Sequence, residues 1–171
     1  PAEKIVYSGV GKREDEIKEA LEAEILLFNV ESLQELETIS AVASGMGKTA
    51  QVGLRLNPDV DPKTHPYIST GMKKAKFGID ITRAREQYRT AAELANIDAI
   101  GLHCHIGSQI TQAGPFQEAS EKVASCVRAL REDGHDIRYI NVGGGLGITY
   151  NDEAPPTPSE YAAAILPQLK D

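Results

Sequence analysis

Apolar and polar residues alternate in two rhythms along this chain, and the two rhythms take turns. Short apolar runs with a period near two occupy Lys4 to Ser8, Ile25 to Val30, Ala50 to Asn57, Ile97 to His105 and Ile137 to Val142, and each predicts a β-strand. Between them, apolar positions recur at three and four residues. Arg13 to Ala23 carries Ile17, Ala20 and Leu21; a helix opening at Ser32 carries Leu33, Leu36, Ser40 and Ala43; Thr82 to Asn96 is a third helix. Phe116, Ala119, Val123, Cys126, Val127 and Leu130 form the stripe of a longer helix starting near Pro115, where a missing N–H costs nothing. Tyr161 to Leu169 is the last helix.

Turn chemistry separates these elements. Ser32 with Glu35, and Thr157 with Glu160, have capping-box spacing, in which each side chain serves a backbone N–H left open by the first turn. Gly45 and Gly47 end the second helix, and Asp133-Gly134 turns the chain into the fifth strand. Pro58 to Asp80 is too long and too rich in proline, glycine and lysine for a plain connector, and at a sheet rim it reads as a functional loop.

Five strands each followed by a helix, with no repeat and no linker, predict one α/β domain over residues 1–171, built of parallel βα units. A (β/α)₈ TIM barrel takes about 250 residues. Five units make a partial barrel, which is expected to leave two unpaired sheet edges and an uncovered inner strand face.

The 171 residues are 41% hydrophobic and 25% charged, ordinary values for a globular domain, and the net charge of -7 disfavours a nucleic-acid surface. No apolar run approaches the roughly 20 residues of a membrane helix, and no signal peptide opens the sequence. Cys104 and Cys126 read as reduced core thiols, so the expected location is cytoplasmic.

Candidate chemistry concentrates where two strands end. Gly101 to Gln109 reads GLHCHIGSQ and Val142 to Gly147 reads VGGGLG. Alternation puts Gly101, His103 and His105 on one face and Ile100, Leu102 and Cys104 on the other, so the imidazoles face the barrel interior and the apolar residues face helices. Gly143, Gly144 and Gly145 lack Cβ atoms and are able to turn several N–H groups toward one point, a cradle for an anion such as phosphate; an ordinary turn after a buried strand is the plainer reading. His105 and Ser108 add a flat ring and a hydroxyl at the same rim. Arg55 lies on the inner face of its strand with Gly53 and Asn57, where it requires a partner: a salt bridge inside the barrel, or contact with a cofactor.

HIGSQ followed at this distance by VGGGLG resembles the pyridoxal 5'-phosphate-dependent decarboxylases with the alanine racemase-like barrel. Arg55 to Ile79, RLNPDVDPKTHPYISTGMKKAKFGI, is most similar to the diaminopimelate decarboxylase branch of that family, and the likeness runs from YSGVGK at Tyr7 to Lys12, through FNVES at Phe28 to Ser32, to the glycines. The resemblance implies decarboxylation of meso-diaminopimelate to L-lysine, a small amino-acid substrate and a homodimer for the full-length enzyme. Another basic amino acid is the alternative substrate. It implies that His105 stacks on the pyridine ring, that Ser108 and Gly143 to Gly145 bind the phosphate, that Arg55 belongs to the active site, and that Lys76 with Phe77 and Gly78 lies near the dimer contact. By the same resemblance the chain covers strands three to seven of the family barrel. The Schiff-base lysine near the first strand, an Glu-Pro-Gly-Arg turn and a β-rich domain then lie outside it, so the isolated chain is expected to be inactive. None of Lys4, Lys12, Lys48, Lys73, Lys74 or Lys76 stands where that lysine belongs.

Two rival readings remain. His103-Cys104-His105 is an H-x-H at a strand end, which ligates metals in other barrels, but it needs further ligands and only His65 and His135 are left. A non-catalytic binder of phosphate or cofactor is the other; no metal site is expected.

Overall fold

The computed structural model describes residues 1–62 and 77–170. Its strands are β1 (Val6–Tyr7), β2 (Leu27–Val30), β3 (Ala50–Asn57), β4 (Ile79–Asp80), β5 (Ile97–His103) and β6 (Tyr139–Asn141). The helices are α1 (Glu14–Glu22), α2 (Leu33–Met46), α3 (Ala84–Glu93), α4 (Gly114–Glu132) and α5 (Pro158–Ile165). The sheet order is β1-β2-β3-β5-β6 and every pairing is parallel. This is the expected series of βα units, with one addition: β4 pairs with Leu56 and Asn57 at the end of β3, beyond the point where β5 stops. Two residues at the end of a long loop carry no pattern of their own, which is why the sequence did not announce this sixth strand.

The main core lies between the outer strand face and the helices. Phe28, Val30, Val52, Leu54, Leu102 and Cys104 pack there against Ile17 of α1, Leu36 and Ile39 of α2, Tyr88 of α3 and Val123, Val127 and Leu130 of α4. A second cluster, with Ile106, Ile110, Phe116 and Ile165, seats the rim loops on α4 and α5. Phe116 meets Tyr161 edge-on, with ring centroids 4.7 Å apart.

Several expectations are adjusted. Ser40, the weak point of the α2 stripe, is buried, and its hydroxyl donates to the Ala95 carbonyl at 2.7 Å. Gly45 lies inside α2; Gly47 alone caps it, with φ 64°. Ser32 accepts from the Glu35 N–H, but the Glu35 carboxylate turns to Lys12 and to the Glu31 N–H, so only half of that capping box forms. At Thr157 and Glu160 both halves form. Ile100 is buried but stands outside the helix-side cluster, because the β3–β5 register shifts between Val52 and Gly53 and breaks the alternation there.

The inner face is covered rather than bare. A Cβ on Gly101 would lie 3.0 Å from Leu27 Cδ2 and one on Gly53 would lie 3.1 Å from the Gly101 backbone. Two glycines therefore let Leu27 reach across β3 to β5, curling the sheet over its own concave side. Leu27, Asn29, Arg55 and His103 are all at most 8% exposed.

Candidate active site

The C-terminal strand ends open into a cleft of about 610 Å³, within the usual range for ligand pockets. Ser8, Gly9 and Val10, in the loop after β1, form one wall. Glu31 and Arg55 come from the ends of β2 and β3, Phe77 from the approach to β4, and His103, His105, Asn141 and Gly143 from the ends of β5 and β6.

Arg55 pairs in register with His103 on the neighbouring strand. Its guanidinium reaches Glu31 Oε2 at 2.7 Å, with the two side chains 10% and 7% exposed, and it lies 5.6 Å from the centre of the Phe77 ring. The internal salt bridge is thus present, and the same arginine lines the cleft.

The two imidazoles face inward, and Cys104 between them is buried beneath the helices, its thiol pushed up to about 12 by burial. His103 is 6% exposed, and its Nδ1 has no hydrogen-bond partner among the described residues. Burial, then the Arg55 charge, then His105 and Lys12 push its pKa down to about 3, so the ring is neutral. His105 lies two residues beyond the end of β5, half-buried; burial and then Arg55 lower its pKa, partly opposed by Glu31. Its Nδ1 accepts from the Gly144 N–H at 3.3 Å, which leaves the proton of the neutral ring on Nε2.

The glycine run is shaped by how closely it approaches the strand beside it. Gly143, at φ 73°, would place a Cβ 2.5 Å from the Cys104 carbonyl and 2.9 Å from His105 Nδ1; Gly145, at φ 96°, would place one against the Gly107 carbonyl. Around Gly144 a Cβ would meet nothing within 4 Å. Two of the three N–H groups are engaged within the chain: Gly143 donates to Asn141 Oδ1 at 2.9 Å and Gly144 to His105. Ser108 is exposed in the turn between Gly107, which touches Gly145, and Ile110, whose N–H donates to the Gly145 carbonyl at 2.8 Å. The structure therefore gathers Arg55, His105 and Gly143 in one cleft, with Gly144, Gly145 and Ser108 on its margin. Lys76, together with His65, Lys73 and Lys74, lies outside the described residues.

Sequence reasoning assigned no role to Glu31, Asn141 or the Ser8–Val10 wall. Glu31 carried a usable signal: an acidic residue at a strand end, one strand from an inner-face arginine. For the H-x-H reading, no group of three His, Cys, Asp or Glu suited to a metal occurs among the described residues.

Residues 1–171 match the family model for the pyridoxal binding domain of pyridoxal-dependent decarboxylases. The chain belongs to the pyridoxal-dependent decarboxylase family. Among relatives of this family, the diaminopimelate decarboxylase of Aquifex aeolicus is 53% identical over 172 residues, spanning all of this chain and 41% of the relative. That of Haemophilus influenzae is 51% identical over 170 residues, 99% of this chain and 41% of the relative. The crystal structure of diaminopimelate decarboxylase from Helicobacter pylori complexed with L-lysine superposes with a TM-score of 0.91 at 44% identity, covering 96% of this chain and 42% of that one. The chain thus spans about two fifths of the length of these decarboxylases, and its curved sheet is part of their α/β barrel.

The cleft fits the family's cofactor. A half-buried neutral imidazole offers a flat face, and Gly143 admits no side chain between that ring and the strand end. The Gly144 bond to His105 is long enough for an anion to displace it.

Proposed function

We propose that the protein containing this chain decarboxylates meso-diaminopimelate to L-lysine with pyridoxal 5'-phosphate. The observation that carries this reading is the 53% identity over the whole chain to the Aquifex aeolicus diaminopimelate decarboxylase, with a cleft open at the C-terminal strand ends.

In this reading His105 stacks on the pyridine ring, holding it in place as a neutral aromatic surface. Gly144, Gly145 and Ser108 donate to the phosphate at the margin of the cleft. Arg55, paired with Glu31, fixes the inner wall, and burial first and the Arg55 charge second hold both histidines uncharged. When bound, the cofactor supplies the electron sink for the bonding pair released as CO₂ departs. The chain's own residues bind, orient and shield that group; none of its lysines is assigned the covalent link. A cytoplasmic location, as the two free thiols suggest, and a homodimer, as the family resemblance implies, belong to the same proposal.

The test is CO₂ release by the purified full-length protein, with and without pyridoxal 5'-phosphate, from meso-diaminopimelate, lysine, ornithine and arginine. Saturable, cofactor-dependent turnover with diaminopimelate preferred is expected. Preference for another basic amino acid would move the substrate assignment, and cofactor binding without turnover would favour a binding role.

A further inference from the structure

The wall of the cleft made by Ser8, Gly9 and Val10 has little packing of its own. Val10 is 58% exposed, and Cβ atoms added at Gly9 or Gly11 would meet nothing within 4 Å. What holds it is Lys12, whose side chain is fully buried. Lys12 Nζ donates to the Gly9 carbonyl at 2.8 Å, the Asn29 carbonyl at 2.7 Å and Glu35 Oε1 at 2.7 Å, so its three protons are directed to the loop itself, to β2 and to α2. Its ammonium also lies 5.4 Å from the centre of the Tyr7 ring. The other end of the loop is tied to the same strand: Asn29 Nδ2 donates to Ser8 Oγ at 2.8 Å.

We propose that Lys12 is a positioning residue that latches the β1–α1 loop to β2 and α2 and so fixes the cleft wall facing His105 and Arg55. A lysine whose protons are all engaged by acceptors offers no lone pair to a carbonyl, so its part is to set geometry. Burying an ammonium is costly unless it is paired and bonded, and here the pairing joins three elements at this rim. The inference rests on reading the cleft as the cofactor and substrate site; the latch itself is a statement about the loop and is tested separately from it.

The experiment uses the full-length protein, unmodified and as Lys12→Met, which keeps the aliphatic stem, and as Lys12→Met with Glu35→Gln, which removes the charge left behind. In the unmodified protein, an amine-acylating reagent should label Lys12 at least about a hundred-fold more slowly than exposed Lys18, since reaction requires the latch to open. Equal labelling overturns the proposal without any variant having to fold. In the double variant the Gly9 to Gly11 amides should exchange about ten-fold faster. Pyridoxal 5'-phosphate, titrated by its visible absorbance, should bind about ten-fold more weakly, and KM should rise about ten-fold while kcat stays within about three-fold. A folded double variant with parental exchange, cofactor affinity and KM overturns the latch. If the parent fails to decarboxylate diaminopimelate, the function proposal falls, while labelling and exchange still decide the role of Lys12.

Discussion

Arg55 Nη1 lies 2.7 Å from Glu31 Oε2, a nearly buried ion pair that joins the ends of β3 and β2 across the floor of the cleft. Removing one member strands a charge in a place with little water. Arg55→Met and Glu31→Gln are each expected to cost about 3–5 kcal/mol in urea unfolding of the full-length protein, the double variant costing clearly less than the sum. Single variants within about 0.5 kcal/mol of the parent would show that the pair is wet and structurally idle.

The three glycines divide sharply. Gly143→Ala and Gly145→Ala place a Cβ at positive φ against backbone oxygen, and each should lose at least about 2 kcal/mol. Gly144→Ala meets open space and should keep stability within about 1 kcal/mol of the parent. Alanine keeps the N–H but puts a methyl into the space open to a phosphate held there, so Gly144→Ala should weaken pyridoxal 5'-phosphate binding without a change in melting. Equal destabilisation by all three would contradict the geometry.

How legible these features were depended on how local their cause is. The bounds of β3, Ala50 to Asn57, could be read from the sequence, and this strand is paired on both sides, with β2 and with β5. Elsewhere the pattern ran further than the pairing: Lys4 to Ser8 shrinks to β1, Ile25 to Val30 to β2, Ile97 to His105 to β5 and Ile137 to Val142 to β6, since an apolar pattern marks burial and continues past the last ladder bond. The Ile100 offset was invisible because it follows from a register shift with another strand, held in part by the Tyr88 hydroxyl donating to the Gly101 carbonyl at 2.5 Å. In the site, the meeting of His105 with the glycines was legible from two motifs. The Glu35 partner of Lys12 was not, because Glu35 reads as the ordinary first-turn acid of a capping box; Glu31 carried only the signal of an acid at a strand end, which gains meaning once β2 and β3 are neighbours.

The edge strands carry a prediction for the 171-residue chain expressed alone. β1 and β6 each have one neighbour in the sheet, and Ile5, Val6 and Tyr139 are 51%, 37% and 38% exposed there. Such edges template pairing with another chain, so sedimentation should show a mass that rises with concentration. Val6→Lys with Tyr139→Lys should suppress that rise. A monomer at all concentrations would mean the edges are shielded by their own twist and flanking loops.

His103 gives the chain an acid-sensitive point. In the folded protein, burial and the facing charges of Arg55, His105 and Lys12 hold its pKa near 3, whereas in an unfolded chain it titrates near the ordinary histidine value of about 6.5. Between those values the unfolded state binds a proton that the folded state does not. Stability is therefore intact above about pH 6.5 and falls as the solution is acidified, by up to about 1.4 kcal/mol per pH unit for this group. His105, also lowered, acts in the same direction. Carboxylates with lowered values, such as Asp133 and Glu160, add their losses only near and below their own ordinary range of about 4. Glu35, whose carboxyl is raised by burial, acts in the opposite direction and is common to both proteins, so the comparison with a variant lacking the imidazole isolates His103 in the pH 5 to 6.5 window. Urea unfolding of the full-length protein and of His103→Asn across that window should give a steeper decline for the parent and parallel curves above pH 7. Parallel curves throughout would mean that water or a charged partner reaches His103, and that the floor of the cleft is not the dry, neutral surface described above.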